Sequence, residues 1–304
     1  MPPSIDPPGT LIHHANGQTS HVMIDDFTDP WLAHETETIL IQPGFARHAA
    51  FWYHWIPALS REYRVVRRDS RGHGWSSAPA PTPTRPPQPE DDDTSEPPYD
   101  YDWSVDTICD EIIDCLDQLS IAKVHFLGES TSGMIGEILA AKYPHRLRSL
   151  TICSSPTFLP PPALELFAFG HRDWPTACRE LGPRAWGEAL SKVPGTVSVP
   201  DPAYLLWWID QIALSSPDGL AGYAGFLSTL DSRPYLAQIR LPMLILAPAK
   251  SAATTLEEQR KIAQSVKNSR IEVIHGTGHE IYVEMPHECQ AAVLDFLKSL
   301  KQKP

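Results

Sequence analysis

Cations are the first scarcity in this chain. Lys and Arg number 25 against 37 Asp and Glu, for a formal net charge of −12. Broad nucleic-acid surfaces are built from clustered cations, so none is expected here. No basic run exceeds Arg67-Arg68. Cysteine is also sparse: Cys109, Cys115, Cys153, Cys178 and Cys289 are scattered with no C-x-x-C pair. An odd count in a long chain argues against a disulfide framework. Cys153 sits in an apolar strand and reads as a small buried hydrophobe. No stretch approaches about 18 apolar residues, so no membrane-spanning helix is expected. The opening MPPSIDPPGT lacks a basic and an apolar segment, so no secretory signal is expected and the cytoplasm is the expected location. His13, His14 and His21 are read as lying at a polar edge without the carboxylate or cysteine set a metal needs. No metal and no organic cofactor are expected, and the partner is a small-molecule substrate.

What is present suits a globular enzyme. The chain has 304 residues, 42% of them hydrophobic. That is enough for one large α/β domain with an insertion, or for two small domains. Proline is abundant, with 31 residues, and part of the excess falls in residues 78–99. That run is acidic and proline-rich with little to bury, and reads as an exposed loop.

Strands alternate with helices on either side of it. Residues 20–27 alternate apolar and polar like an outer antiparallel strand. TILIQ (38–42) and RVVRR (64–68) read as buried strands. Residues 104–119 carry apolar side chains at helical spacing behind Ser104 as N-cap. A strand (123–128), a helix (132–143) and a strand (147–153) follow. The pattern resumes with strands at 241–247 and 270–275 and helices at 256–266 and 288–300. Alternation of this kind predicts a doubly wound, mostly parallel sheet covered on both faces. Residues 156–236 break the pattern, being helical and rich in proline and aromatics. They are read as a helical lid inserted into a core of residues 1–155 and 237–304.

One motif carries chemistry. The strand KVHFLG runs into Gly128-Glu129-Ser130-Thr131-Ser132 and then a helix, the strand–turn–helix setting in which a G-x-S-x-G pattern is meaningful. The turn needs small residues two before and two after the serine. Ser132 meets this in place of glycine. The helix N-terminus aims free N–H groups at the same point.

From these residues the chain resembles the α/β-hydrolase superfamily. Asp69-Ser70-Arg71-Gly72-His73-Gly74-Trp75-Ser76 is similar to that family's D-x-R-G-x-G-x-S turn, and Gly276-Thr277-Gly278-His279 to its histidine loop. The stretch GESTSGMIGEILAAKYPHRLRSLTIC looks most like the branch of 3-oxoadipate enol-lactonases and related ester and lactone hydrolases. The resemblance implies Ser130 as nucleophile and His279 as base. It implies an oxyanion hole made by the N–H of Thr131 and of Phe45, in a turn with Pro43 where the family has histidine. His73, His125, His145 and His287 are read as structural.

The third triad member is missing. The family's usual acid position falls on Ser251, and AKSAATT (249–255) holds no carboxylate. Cys153 to Thr157 holds none either. Three repairs are open: Glu129 beside the serine, a lid carboxylate such as Glu165 or Asp173, or a Ser–His dyad oriented by Ser251. Asp231 is read as structural. The lid aromatics Trp174, Trp186, Tyr204, Trp207, Trp208 and Tyr223 are the candidate substrate wall. The expected reaction is hydrolysis of a carboxylic ester or lactone of a small, largely apolar or aromatic substrate. The alternatives are lyase, cyclase or isomerase chemistry at the same site, or a ligand-binding receptor. The oligomeric state is left open.

Overall fold

The computed structural model describes residues 8–81, 99–199 and 201–301. Most of the proline-rich run at 78–99 lies outside the described residues. Its two ends meet in a bridge between Pro81 and Tyr99.

Eight strands form one sheet in the order β1-β2-β4-β3-β5-β6-β7-β8. They are β1 (Thr10–His13), β2 (Thr19–Asp25), β3 (Thr38–Gln42), β4 (Arg64–Arg68), β5 (Val124–Glu129), β6 (Leu147–Cys153), β7 (Met243–Pro248) and β8 (Ser269–Ile274). From β4 to β8 all pairings are parallel. β2 pairs antiparallel with β4, and β1 with β2. The outer antiparallel strand is therefore β1 rather than β2. Its four residues are too few to show a period.

The helices, in chain order, begin with α1 (Ile56–Leu59), α2 (Val105–Gln118) and α3 (Thr131–Lys142). Between β6 and β7 come α4 (Pro161–Ala168), α5 (Trp174–Ser191), α6 (Pro202–Ile212), α7 (Pro217–Thr229) and α8 (Arg233–Leu236). The chain closes with α9 (Leu256–Ser265), α10 (Ile281–Glu284) and α11 (Pro286–Lys301). Caps set several of the starts. Ser104 accepts from the Thr107 N–H at the head of α2, and Thr255 and Glu258 form a reciprocal capping box on α9.

The central strands are buried on both faces; β3, β5 and β7 have no exposed residue. That is the signature of a parallel sheet sandwiched by helices. A doubly wound sheet gathers its loops beyond the C-terminal ends of the strands. Here those loops follow β3, β5, β7 and β8. All five cysteines are buried. Among the described residues no helix is long and apolar enough to cross a membrane.

The turn after β4 is a polar brace. Asp69 is fully buried. One oxygen accepts the Ala49 N–H at 2.7 Å. The other accepts the Trp75 N–H at 3.0 Å and lies 2.8 Å from Nδ1 of His21. This corrects the reading of the N-terminal histidines. His14 and His21 are buried, and each has a carboxylate: Asp114 at 2.6 Å and Asp69 at 2.8 Å. Each pairs with one acid, and no group of metal-binding side chains exists among the described residues. Both are packing elements. His73 and His125 are likewise buried.

Candidate active site

Ser130 occupies the turn between β5 and α3 with φ 52° and ψ −126°. A non-glycine residue there stores of order 1–3 kcal/mol of strain. The flanking elements impose it. The Ser130 N–H donates to Cys153 O of β6 at 2.8 Å, and Ser130 O accepts from Gly133 N at 2.9 Å. A Cβ on Gly128 would strike the Ser132 carbonyl, so the residue two before the serine must be glycine. Two after it, Ser132 donates its hydroxyl to Pro43 O at 2.6 Å. That bond explains a serine where the family pattern has glycine: it ties the elbow to the turn after β3.

That turn lies directly over the elbow. A Cβ on Gly44 would come within 2.6 Å of Glu129 Oε2 and 2.8 Å of Ser130 Cβ. The Gly44 N–H donates to Glu129 Oε2 at 2.6 Å. Phe45 follows and packs against Trp174, with ring centroids 4.4 Å apart. Thr131 opens α3, where an N–H has no acceptor within the helix. Its Oγ1 is buried and has no protein partner.

His279 reaches Ser130 from the loop after β8, 149 residues away in sequence, with Nε2 2.9 Å from Oγ. Its backbone N–H donates to Gly195 O at 2.9 Å, so the insertion holds the loop from one side. Glu284 holds it from the other, accepting from Thr277 N and Gly278 N. Ser251 stands at the remaining ring nitrogen, its Oγ 3.1 Å from Nδ1. Of the three repairs for the missing acid, Ser251 and Glu129 touch the imidazole. Glu129 Oε1 lies 3.9 Å from Nε2, on the Ser130 side of the ring. The two carboxylates of the segment between β6 and β7 do not approach. Asp173 caps α5 through the Thr176 N–H and pairs with Arg172, and Glu165 is exposed and lines an outer groove beside Asp173.

Burial, then the nearby Arg47 cation, push the His279 imidazole down to about 3. It is neutral at pH 7, so its approach to Glu129 is not a standing ion pair. Burial pushes Glu129 up to about 7; Glu280 adds to the rise, while Arg47 and the Gly44 N–H oppose it. Two carboxylates and one guanidinium thus share the floor of the site.

Sequence reasoning missed that guanidinium. Arg47 is 5% exposed and Glu280 1%. Arg47 donates Nε and Nη2 to Glu280 Oε1 at 2.9 and 2.6 Å, and Nη1 to Phe45 O at 3.0 Å. It stacks 4.7 Å over the Trp208 ring. The brace joins the turn after β3 to the loop after β8. No local signal marks it, because its partners are 233 residues apart.

The brace also revises the aromatic wall. Trp208 and Tyr204 donate to Glu280 at 2.9 and 3.2 Å. Trp207 packs on Phe51 and Tyr53, and Tyr223 on His73 and Phe226. None of these four lines the cavity above Ser130; Trp174 and Trp186 do. Phe45, Leu159, Phe167 and Leu190 add to the wall, and Ser130, His279, Thr131 and Arg47 also line the cavity. The cavity is about 50 Å³, room for roughly four waters.

Comparison with known proteins agrees with the fold. The sequence profile of the alpha/beta hydrolase fold matches residues 37–194. The chain is 25% identical over 261 residues to 3-oxoadipate enol-lactonase 2 of Acinetobacter baylyi, covering 86% of this chain and 88% of that protein. It is 23% identical over 270 residues to a putative carbamate hydrolase of Pseudomonas savastanoi, covering 86% and 93%. In three dimensions it is similar to the enol-lactonase from Burkholderia xenovorans, with a TM-score of 0.77 at 22% identity, covering 93% of this chain and 98% of that one. An esterase from Thermogutta terrifontis gives 0.76 at 20% identity, covering 96% and 99%. The chain belongs to the α/β-hydrolase family.

Proposed function

We propose that this protein is a serine hydrolase that cleaves a carboxylic ester or lactone of a small, largely apolar or aromatic substrate. The observation that carries the reading is the 2.9 Å contact between Ser130 Oγ and His279 Nε2 in the lining of a cavity walled by aromatic side chains. Ser130 Oγ bonds to the carbonyl carbon while His279 takes its proton. The C–O bond to the leaving group then breaks, and His279 returns the proton to that oxygen. Water cleaves the acyl-enzyme by the same steps. Thr131 and Phe45 supply the N–H groups for the oxyanion. Residues 156–236 act as the lid. Phe167 of α4 and Trp174, Trp186 and Leu190 of α5 wall the cavity, so these helices limit the size of the acyl group.

The enol-lactonase and esterase relatives support an ester or lactone substrate, and the carbamate hydrolase relative makes a carbamate the acyl substrate to assay beside them. The absence of a carboxylate at Nδ1 favours, as a second reading, non-hydrolytic chemistry that needs only His279 and the oxyanion donors. A fluorophosphonate probe separates the two. Wild type is expected to label and Ser130→Ala not to. If wild type fails to label, or Ser130→Ala labels equally, the nucleophile assignment is wrong. Labelling without turnover of any aryl ester or lactone supports the second reading.

A further inference from the structure

Ser251 stands where a hydrogen-bond acceptor would hold the imidazole in its basic form, yet its own hydroxyl is crowded with donors. Oγ accepts the Ala253 N–H at 3.1 Å and the Thr254 N–H at 3.2 Å. Thr254 Oγ1 lies farther off, at 3.4 Å. A serine hydroxyl has two lone pairs and one proton. With the lone pairs taken, the O–H is what remains for His279 Nδ1, 3.1 Å away.

We propose that Ser251 is a positioning residue that donates its O–H to Nδ1 of His279, and so holds the resting imidazole with its proton on Nε2. Nε2–H then donates to Ser130 Oγ and has no lone pair for the serine proton. A second observation supports this. Glu129 Oε1 approaches Nε2 to 3.9 Å, where a carboxylate favours a proton on that nitrogen. The proposal rests on the Ser130–His279 reading for its catalytic consequence, and on the hydrogen-bond geometry alone for the tautomer.

The reactive tautomer is reached when Nε2 loses its proton to solvent and Nδ1 gains one, with no net change in charge. Ser251 must then turn its O–H away and accept from Nδ1–H, giving up one backbone donor. Leaving such a part-buried donor unpaired lowers the reactive population about tenfold, or about 1.4 kcal/mol. The loop is also shaped for an acid. The N–H groups of Ala253 and Thr254 converge on one point, and an aspartate there accepts both and Nδ1–H as well.

Long-range ¹H–¹⁵N correlation spectra of histidine-labelled protein at pH 7 test the tautomer, with His279→Gln assigning the resonance. The imidazole is neutral at that pH, so the two ring nitrogens report the tautomer directly. The expected result is Nε2–H in wild type and Nδ1–H in Ser251→Asp. Fluorophosphonate labelling of Ser130 is then at least tenfold faster in Ser251→Asp, while Ser251→Ala is no slower than wild type. Finding Nδ1–H in wild type overturns the proposal, since the backbone donors then share one lone pair and Ser251 accepts. A tenfold slower Ser251→Ala also overturns it. Nε2–H in wild type with no labelling of any variant upholds the Ser251 assignment and rejects the hydrolase reading instead. The wild-type spectrum decides the tautomer even if Ser251→Asp does not fold.

Discussion

Replacing Glu129 by glutamine is expected to lower activity and raise stability together. Glu129 is 1% exposed, and the groups facing it are Arg47, Glu280, Tyr282, Cys153, His279 and the Gly44 N–H. During acyl transfer His279 becomes an imidazolium with Nε2 3.9 Å from Glu129 Oε1. At an effective dielectric of about 20, unit charges at that distance attract by about 4 kcal/mol. That bounds the rate loss at about a thousandfold, and at least tenfold is expected. The effect needs an ionised carboxylate. In wild type kcat/KM therefore rises with pH through about 7, and this limb is absent in Glu129→Gln. Stability moves the other way. A carboxyl raised from 4.5 to about 7 favours the folded state below pH 4.5, and that contribution is lost as pH climbs through about 7. The loss is about 3 kcal/mol. Glutamine removes the buried charge and keeps an acceptor for the Gly44 N–H. At pH 8 the variant is expected to melt about 5 °C above wild type, given the unfolding entropy of a chain of 304 residues. Calorimetry at pH 4.5 and 8, and pH–rate profiles with an aryl ester, measure both. A limb near pH 7 that persists in Glu129→Gln, or a lower melting point at pH 8, refutes the reasoning.

Two further outcomes follow from the site's frame and wall. Arg47→Met strands the buried Glu280 carboxylate and is expected to cost about 3–5 kcal/mol in denaturant unfolding. Arg47→Met with Glu280→Leu recovers most of it, and a double variant no better than the single contradicts the buried-pair account. Trp186→Leu is expected to change KM for aryl esters severalfold because Trp186 lines the cavity. Trp207→Leu leaves KM unchanged because its ring packs on Phe51 and Tyr53 instead; equal effects would place the substrate elsewhere.

The local sequence carried the elbow. KVHFLG, the small residues at 128 and 132 and the following helix are contiguous, so backbone strain, the buried strand and the helix start all show in one short stretch. The central strands were legible for a related reason, since burial on both faces leaves an unbroken apolar run such as TILIQ. The family resemblance placed Ser251 at the usual acid position, and the structure puts it at the imidazole. The rest needed the folded chain. Arg47 and Glu280 meet across 233 residues, and neither residue type signals a buried partner. The aromatics of α5, α6 and α7 look alike in sequence, because amphipathic helices in one insertion all bury rings. Only packing decides that Trp186 faces the cavity while Trp208 supports an ion pair. The sequence, through its family resemblance, showed only that the usual acid position holds Ser251. Which way the Ser251 proton points depends on where the Ala253 and Thr254 N–H groups lie, and only tertiary structure fixes that.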